Sequence, residues 1–135
     1  MADFGQFANR IRELGRRVET GSDELVIKTA LAVSQTVTLA TPVDTGRARG
    51  NWQAEVGTPA TEEVDREDES GRATIEINAQ VIQTYEGTAQ AVYLSNNLPY
   101  IGRLNEGHSA QAPAGFVEQA VAEGVRAVRG TRVTH

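Results

Sequence analysis

Cysteine and histidine, which often carry nucleophilic or metal-binding chemistry, are scarce in this chain of 135 residues. It has no cysteine and two histidines, His108 and His135, which excludes a disulfide scaffold, a thiolate zinc site, a cysteine nucleophile and a histidine metal cluster within one chain. His108 could act as a general base beside Glu106 or Ser109. Adjacent residues of one loop rarely converge on one substrate atom, so a surface or interface histidine is favoured. We expect no metal and no cofactor.

The strongest enzymatic pattern is Asp44-Thr45-Gly46, because an Asp-Thr-Gly triplet carries the catalytic carboxylate of retroviral-type aspartic proteases. In those dimers one carboxyl stays protonated while the other acts as base. Here the triplet follows Pro42 and precedes arginines, whereas the protease triplet follows an apolar strand and precedes a small residue. We favour a turn in which Asp44 or Thr45 caps backbone amides and Gly46 adopts a positive φ. A dimeric aspartic protease is kept as an alternative.

Composition and charge narrow the class further. The formal net charge is −5 and the isoelectric point is about 5.0, which argues against a general nucleic-acid binder. No apolar run approaches the roughly 20 residues that span a bilayer, and the first residues lack a signal-peptide core, so we expect no membrane contact. A small nucleic-acid-binding adaptor is the second alternative, since arginines gather near both ends of the chain: Arg10, Arg12, Arg16, Arg17, Arg126, Arg129 and Arg132.

Three segments have the apolar spacing of helices. The first has one apolar stripe and a basic outer face, with Gly21 as a stop; its stripe consists of Phe4, Phe7, Ile11, Leu14 and Val18. The second begins after the N-cap residue Ser22 and is halted by Pro42. It is apolar around so much of its circumference that we expect it to be a central core helix or partly an interface. The third runs from about Gly115 to Arg129 and precedes a short tail at 131–135.

Period-two alternation predicts strands between these helices. They are expected at 52–56, at 73–81 and around 89–95, where alternate positions are apolar. The sequence therefore predicts one α+β domain over 1–135. It would have two N-terminal helices, an antiparallel sheet of three to four strands, and a C-terminal helix packed on one sheet face.

An acidic stretch at 58–72 separates the first two predicted strands. It has almost no apolar residues, so we expect a flexible, solvated hairpin loop. We also hypothesise that it projects toward a ring lumen or an adjoining ring. Its acidic residues are Glu62, Glu63, Asp65, Glu67, Asp68 and Glu69.

Residues that set backbone shape, chiefly proline and glycine, concentrate in two loops, which predicts rigid contact surfaces. Residues 41–52, Thr-Pro-Val-Asp-Thr-Gly-Arg-Ala-Arg-Gly-Asn-Trp, resemble a signature of the neck, tail-completion and tail-component proteins of long-tailed bacteriophages. Residues 95–115 resemble the same family's Asn-x-x-Pro-Tyr-x-x-x-Leu-Glu-x-Gly-x-Ser-x-Gln-Ala-Pro segment, which precedes a terminal helix. Asn105 stands where the family often has an acidic residue.

The resemblance implies a non-enzymatic virion subunit, assembled in the bacterial cytoplasm, that forms a homo-oligomeric ring, commonly a hexamer, at the head–tail junction. There it would join the head-side connector or head-completion protein to the tail tube protein, as a neck, tail-completion or tail-terminator protein. DNA would pass through its lumen without specific binding. The motif residues expected at interfaces are Pro42, Asp44, Thr45, Gly46, Arg47, Arg49, Trp52, Asn97, Pro99, Tyr100, Leu104, Gly107, Ser109, Gln111 and Pro113.

Two further expectations follow from the residues. Alanine and valine dominate an apolar content of 39%, so the core is lean, and ring neighbours are expected to contribute to stability. Arg47 and Arg49 lie close to Asp44 in the sequence, and we hypothesise that these two arginines pair with acidic groups of a neighbouring subunit.

Overall fold

The structure, a computed structural model, describes residues 23–87, 90–107 and 112–129. Its elements in chain order are α1 (Asp23–Ala40), α2 (Arg47–Gly50), β1 (Trp52–Val56), α3 (Arg72–Ile82), β2 (Val92–Asn96), α4 (Ile101–Asn105) and α5 (Phe116–Arg129). The predicted α+β class is confirmed. The helix predicted over 4–18 and the tail at 131–135 lie outside the described residues.

Helix α1 is the central element of the core. It ends at Ala40, as Pro42 predicts, because the residue before a proline is kept out of the helical region. Helix α5 packs along one side of α1 and α3 along another. Since Thr36 Oγ1 of α1 donates to the Ala120 carbonyl at 2.6 Å and Gly124 lies against Val33, α1 and α5 run antiparallel.

Two strands form the sheet within the described residues. They pair antiparallel, with Trp52 opposite Asn96 and Val56 opposite Val92. The strand predicted at 52–56 is confirmed, and the one expected around 89–95 is found at Val92–Asn96. The prediction of three to four strands is not confirmed, because the segment expected to supply the middle strand is a helix.

That helix, α3, replaces the strand predicted at 73–81. The sequence there fits both the two-residue period of a strand and the period of a helix. Alternation selects Ile77, which is 44% exposed, whereas a spacing of four selects Thr74, Asn78 and Ile82, which are buried. Packing against α1 and β1 favours the second set and overrides the β propensity of isoleucine and valine.

The remaining packing differs from expectation in two places. The main partner of α5 is α1 rather than the sheet. The acidic stretch at 58–72 leads from β1 into α3, so it is not a hairpin loop between strands. The buried apolar side chains of the described residues form one cluster, with Val33, Val37, Trp52 and Ile101 at 1% exposure or less.

Candidate functional site

The first motif, residues 41–52, closes on itself through a buried hydrogen-bond chain. Trp52 Nε1 donates to Thr41 Oγ1 at 2.8 Å, and Thr41 Oγ1 donates to the Val37 carbonyl at 2.7 Å. Both Thr41 and Trp52 are 0% exposed. The two ends of the motif therefore meet at the C-terminal end of α1, and Trp52 serves as a core residue that holds them together.

Arg49 binds the carbonyl groups that α1 leaves without helical partners. Its guanidinium donates to the carbonyls of Leu39 at 2.9 Å and Thr41 at 3.0 Å, and to the Glu69 carbonyl at 2.7 Å. Burial lowers the pKa of Arg49, and the nearby Asp68 carboxylate opposes that effect. These bonds hold Arg49 against its own chain, and the pairing of Arg49 with an acidic group of a neighbouring subunit stays a prediction.

Arg47 also has a partner in its own chain. Its Nη2 lies 3.0 Å from Glu63 Oε1, in an exposed ion pair. The two hypothesised intersubunit arginines therefore both bind the acidic stretch of their own chain, Arg47 through a side chain and Arg49 through a backbone carbonyl.

The predicted turn around Asp44 is confirmed. Thr45 Oγ1 accepts a hydrogen bond from the Arg47 amide at 3.3 Å, and Gly46 has φ +83°. A Cβ at Gly46 would lie 2.5 Å from the Glu69 amide nitrogen, and the Gly46 carbonyl accepts from the Asp68 amide at 3.0 Å. This glycine therefore lets the acidic stretch lie directly against the motif.

Asp44 itself is exposed and lies in the turn that follows α1. The protease alternative requires this carboxylate in a mostly β chain, next to an apolar strand. The described residues are mainly helical around it, so that requirement is not met.

The acidic stretch has no regular secondary structure where it crosses the motif, and its residues alternate between more exposed and less exposed positions. Arg66 and Asp68 point inward, with Asp68 9% exposed, whereas the acids between and beside them are exposed. Arg66 Nε donates to the Gly50 carbonyl at 2.8 Å, and the Val64 amide donates to Asn51 Oδ1 at 2.9 Å. The stretch is thus anchored along its length, and its outward row consists of Glu63, Asp65, Glu67 and Glu69.

Asp68 is the buried carboxylate of this region and organises the start of α3. It accepts hydrogen bonds from the Thr74 amide at 2.8 Å, Thr74 Oγ1 at 2.7 Å, the Gly71 amide at 3.1 Å and Ser70 Oγ at 3.3 Å. Burial alone raises the pKa of Asp68, but these hydrogen bonds outweigh it and hold the pKa below 3.8. Asp68 is therefore a structural anchor, which corrects its assignment to a loop that faces a lumen or an adjoining ring.

Two asparagines of the second motif bind the first motif and the acidic stretch, respectively. Asn96 Nδ2 donates to the Ala48 carbonyl at 2.8 Å, and Asn97 Nδ2 donates to the carbonyls of Ala60 at 3.0 Å and Glu62 at 3.1 Å. The two motif loops and the acidic stretch therefore form one contiguous assembly, although they are separated in sequence.

Farther along the second motif, Asn105 holds the start of α5. Its Oδ1 accepts from the Val117 amide at 2.9 Å, and its Nδ2 donates to the Glu118 carboxylate at 3.0 Å. An acidic residue would lack that donor and would repel Glu118, so the departure from the family pattern at this position is matched by its partner. Leu104 packs on the core, Gly107 has φ +95°, and Ser109 and Gln111 lie outside the described residues.

Some motif side chains are left at the surface. Tyr100 is 39% exposed, and Pro99 and Pro113 are also exposed. An exposed tyrosine with a rigid proline beside it is typical of a protein contact.

Sequence reasoning missed Asn78, which joins α3 to β1. Its Oδ1 accepts from the Ala54 amide at 3.0 Å and its Nδ2 donates to the Trp52 carbonyl at 2.9 Å. It supplies the partners that a third strand would otherwise give to β1. The signal was an asparagine within an apolar segment, and the alternation placed it on a solvated strand face instead.

The described residues contain no group of three or more acidic or histidine side chains that could hold a metal ion. Within the same ranges, no helix is long and apolar enough to cross a membrane. Comparison of the chain with protein-family profiles, curated proteins and solved structures found no match.

Proposed function

We propose that this chain is a structural subunit of the neck of a long-tailed bacteriophage. It would assemble into a ring, commonly of six copies, that joins the head-side connector to the tail tube and leaves a channel for DNA. The chain would act in the virion, after assembly in the bacterial cytoplasm.

This proposal depends on the contacts that the motif side chains make. Trp52, Arg49, Asn96 and Asn97 bind backbone or buried groups and lock the two motif loops together. This supports a structural role for the motifs, since these polar side chains bind groups of the fold itself, whereas an enzyme would direct such side chains at a substrate.

The surface offers features suited to subunit contacts. Apolar side chains are exposed at Ile77 and Tyr100, and a ring needs two different contact patches on each copy. Asp65, Glu67 and Glu69 are exposed and have no ion pair among the described residues. A row of carboxylates beside a channel would repel DNA phosphates and favour passage over binding.

Gene replacement in the phage that encodes the chain tests the proposal. Deleting the gene should leave filled heads and separate tails in lysates, and a plasmid copy should restore joined particles. An Asp44→Asn copy separates the two candidates: a dimeric aspartic protease would lose all activity, whereas a ring subunit would lose at most one exposed contact residue and should still give joined particles. Normal particles without the gene, or failure of Asp44→Asn alone, would overturn the proposal.

The acidic row needs a gentler test than deletion, because deletion would also remove Arg66 and Asp68. The triple variant Asp65→Asn, Glu67→Gln and Glu69→Gln keeps the backbone bonds of the stretch. If the row faces the channel or an adjoining ring, the variant should lower the yield of joined particles while the purified chain stays folded. An unchanged yield would assign the row to plain solvent exposure.

A further inference from the structure

One side of α1 carries apolar side chains that remain partly or largely exposed. Leu25, Ala32 and Leu39 are seven residues apart, so they form one stripe along the helix. None of the three is buried, and Leu39 is 46% exposed. Among the described residues, these three side chains are not part of the set that packs on the core. The half-buried residues of α1 that do pack on it are Ile27, Ala30, Leu31 and Ala40.

The stripe faces neither of the helices that pack on α1. The side toward α5 is marked by Thr36, which donates to the Ala120 carbonyl, and the side toward α3 by Thr38, whose methyl group lies near Gly71. At about 100° per residue the stripe lies within about 60° of Thr36 and about 100–140° from Thr38. A helix placed on it would run along α1 and beside α5.

Residues 4–18 have the complementary pattern. Their apolar side chains recur at alternating spacings of three and four, the seam of a helix that packs against one partner. This seam and the stripe on α1 both span 14 residues, about 21 Å of helix. Four residues, 19–22, connect this segment to α1, within the length of loops that join two antiparallel helices.

We propose that residues 4–18 fold back on α1 of the same chain as an antiparallel helix and cover this stripe. The spacing fixes the register of the two helices. In each of the three facing pairs, the midpoint of the two residue numbers falls between Gly21 and Ser22. The pairs are Phe4 with Leu39, Ile11 with Ala32, and Val18 with Leu25.

Two features select the chain's own segment over that of a second copy. The four-residue connection keeps the segment at a high effective concentration beside α1, so an intramolecular partner outcompetes a second copy. The middle pair also sets a large side chain, Ile11, against a small one, Ala32, which allows the two helices to approach closely there. In this arrangement the segment's arginines lie mainly off the seam, toward solvent.

Engineered disulfides test the register directly, because the chain has no cysteine of its own. Phe4→Cys with Leu39→Cys should oxidise rapidly to a monomeric, internally linked chain. The off-register control, Phe4→Cys with Ala32→Cys, places the second thiol about 10 Å along the helix, beyond the Cα separation of roughly 4.4–6.8 Å that a disulfide spans. We expect oxidation at least tenfold faster for the matched pair. Equal rates, or links only between chains, would overturn the proposal.

Limited trypsin digestion gives a second readout that needs no change in residues 4–18. Docking should protect Arg10, Arg12, Arg16 and Arg17 from cleavage. Leu39→Asp should speed cleavage at these sites severalfold, whereas Gln80→Asp, an exposed change on α3, should not. Equal cleavage of the two variants and the native chain would contradict the docking.

Discussion

The buried carboxylate of Asp68 gives the sharpest test of how the acidic stretch is held. Replacing it by alanine removes the acceptor for two donors of Thr74, its amide and its hydroxyl, and Thr74 is 0% exposed. The Gly71 amide keeps a weaker partner, the Asp68 carbonyl at 3.2 Å. At roughly 1–3 kcal/mol for each buried donor left without a partner, we expect Asp68→Ala to cost about 3 kcal/mol of unfolding free energy.

Urea unfolding followed by tryptophan fluorescence measures this cost, because Trp52 is the only tryptophan and is fully buried beside the acidic stretch. With a slope of roughly 2 kcal/mol per molar urea, the midpoint should fall by roughly 1.5 M. The matched control is Glu67→Ala, an exposed acid one residue away, which should shift the free energy by less than about 0.5 kcal/mol. Protein concentration is held constant, since assembly would itself add stability. If the two variants unfold alike, the stretch is not anchored through Asp68.

Three further results are expected. Because hydrogen bonds hold the pKa of Asp68 below its ordinary value in the folded chain, its contribution is fully present only at pH values well above the unfolded pKa and is lost as pH falls through the folded pKa. The stability gap between the native chain and Asp68→Asn should therefore narrow in urea titrations run from about pH 5 downward. Gly124→Ala would place a Cβ 2.8 Å from the α1 backbone, so the free energy of unfolding should fall by about 1–3 kcal/mol and the melting temperature should fall with it. Ala122→Ser, an exposed change on the same helix, should leave the melting temperature unchanged. Asn78→Leu leaves the Ala54 amide without its side-chain partner and the Trp52 carbonyl with Arg66 as its remaining side-chain donor, and should lower the urea midpoint by at least as much as Gly124→Ala; an unchanged midpoint would show that α3 is not tied to β1 through Asn78.

The sequence predicted the elements whose signals are local. Pro42 ends α1 because it restricts the residue before it, and the strand at 52–56 follows a strict alternation. The turn at Gly46 was predictable from Thr45 and the glycine together, since a hydroxyl cap and a positive φ are properties of adjacent residues.

The features that sequence reasoning missed depend on distant partners. The segment at 73–81 carries both periods, and only its contacts with α1 and β1 select the helix. Nothing in the sequence distinguishes Asp68 from the other five acids of the stretch. Its burial depends on its hydrogen bonds with Thr74 at the start of that helix. The error about the strand therefore caused the error about the acidic stretch, because a stretch that leads into a helix needs a cap and a hairpin loop does not.

Images of labelled particles test the central proposal most directly. A peptide tag at the C-terminus of the chain, detected by gold-conjugated antibody in electron micrographs of virions, should place the label at the junction of head and tail, and tailless heads from the deletion strain should lack it. Label on the capsid shell or the distal tail, or virions that carry none, would contradict the assignment of this chain to the neck ring.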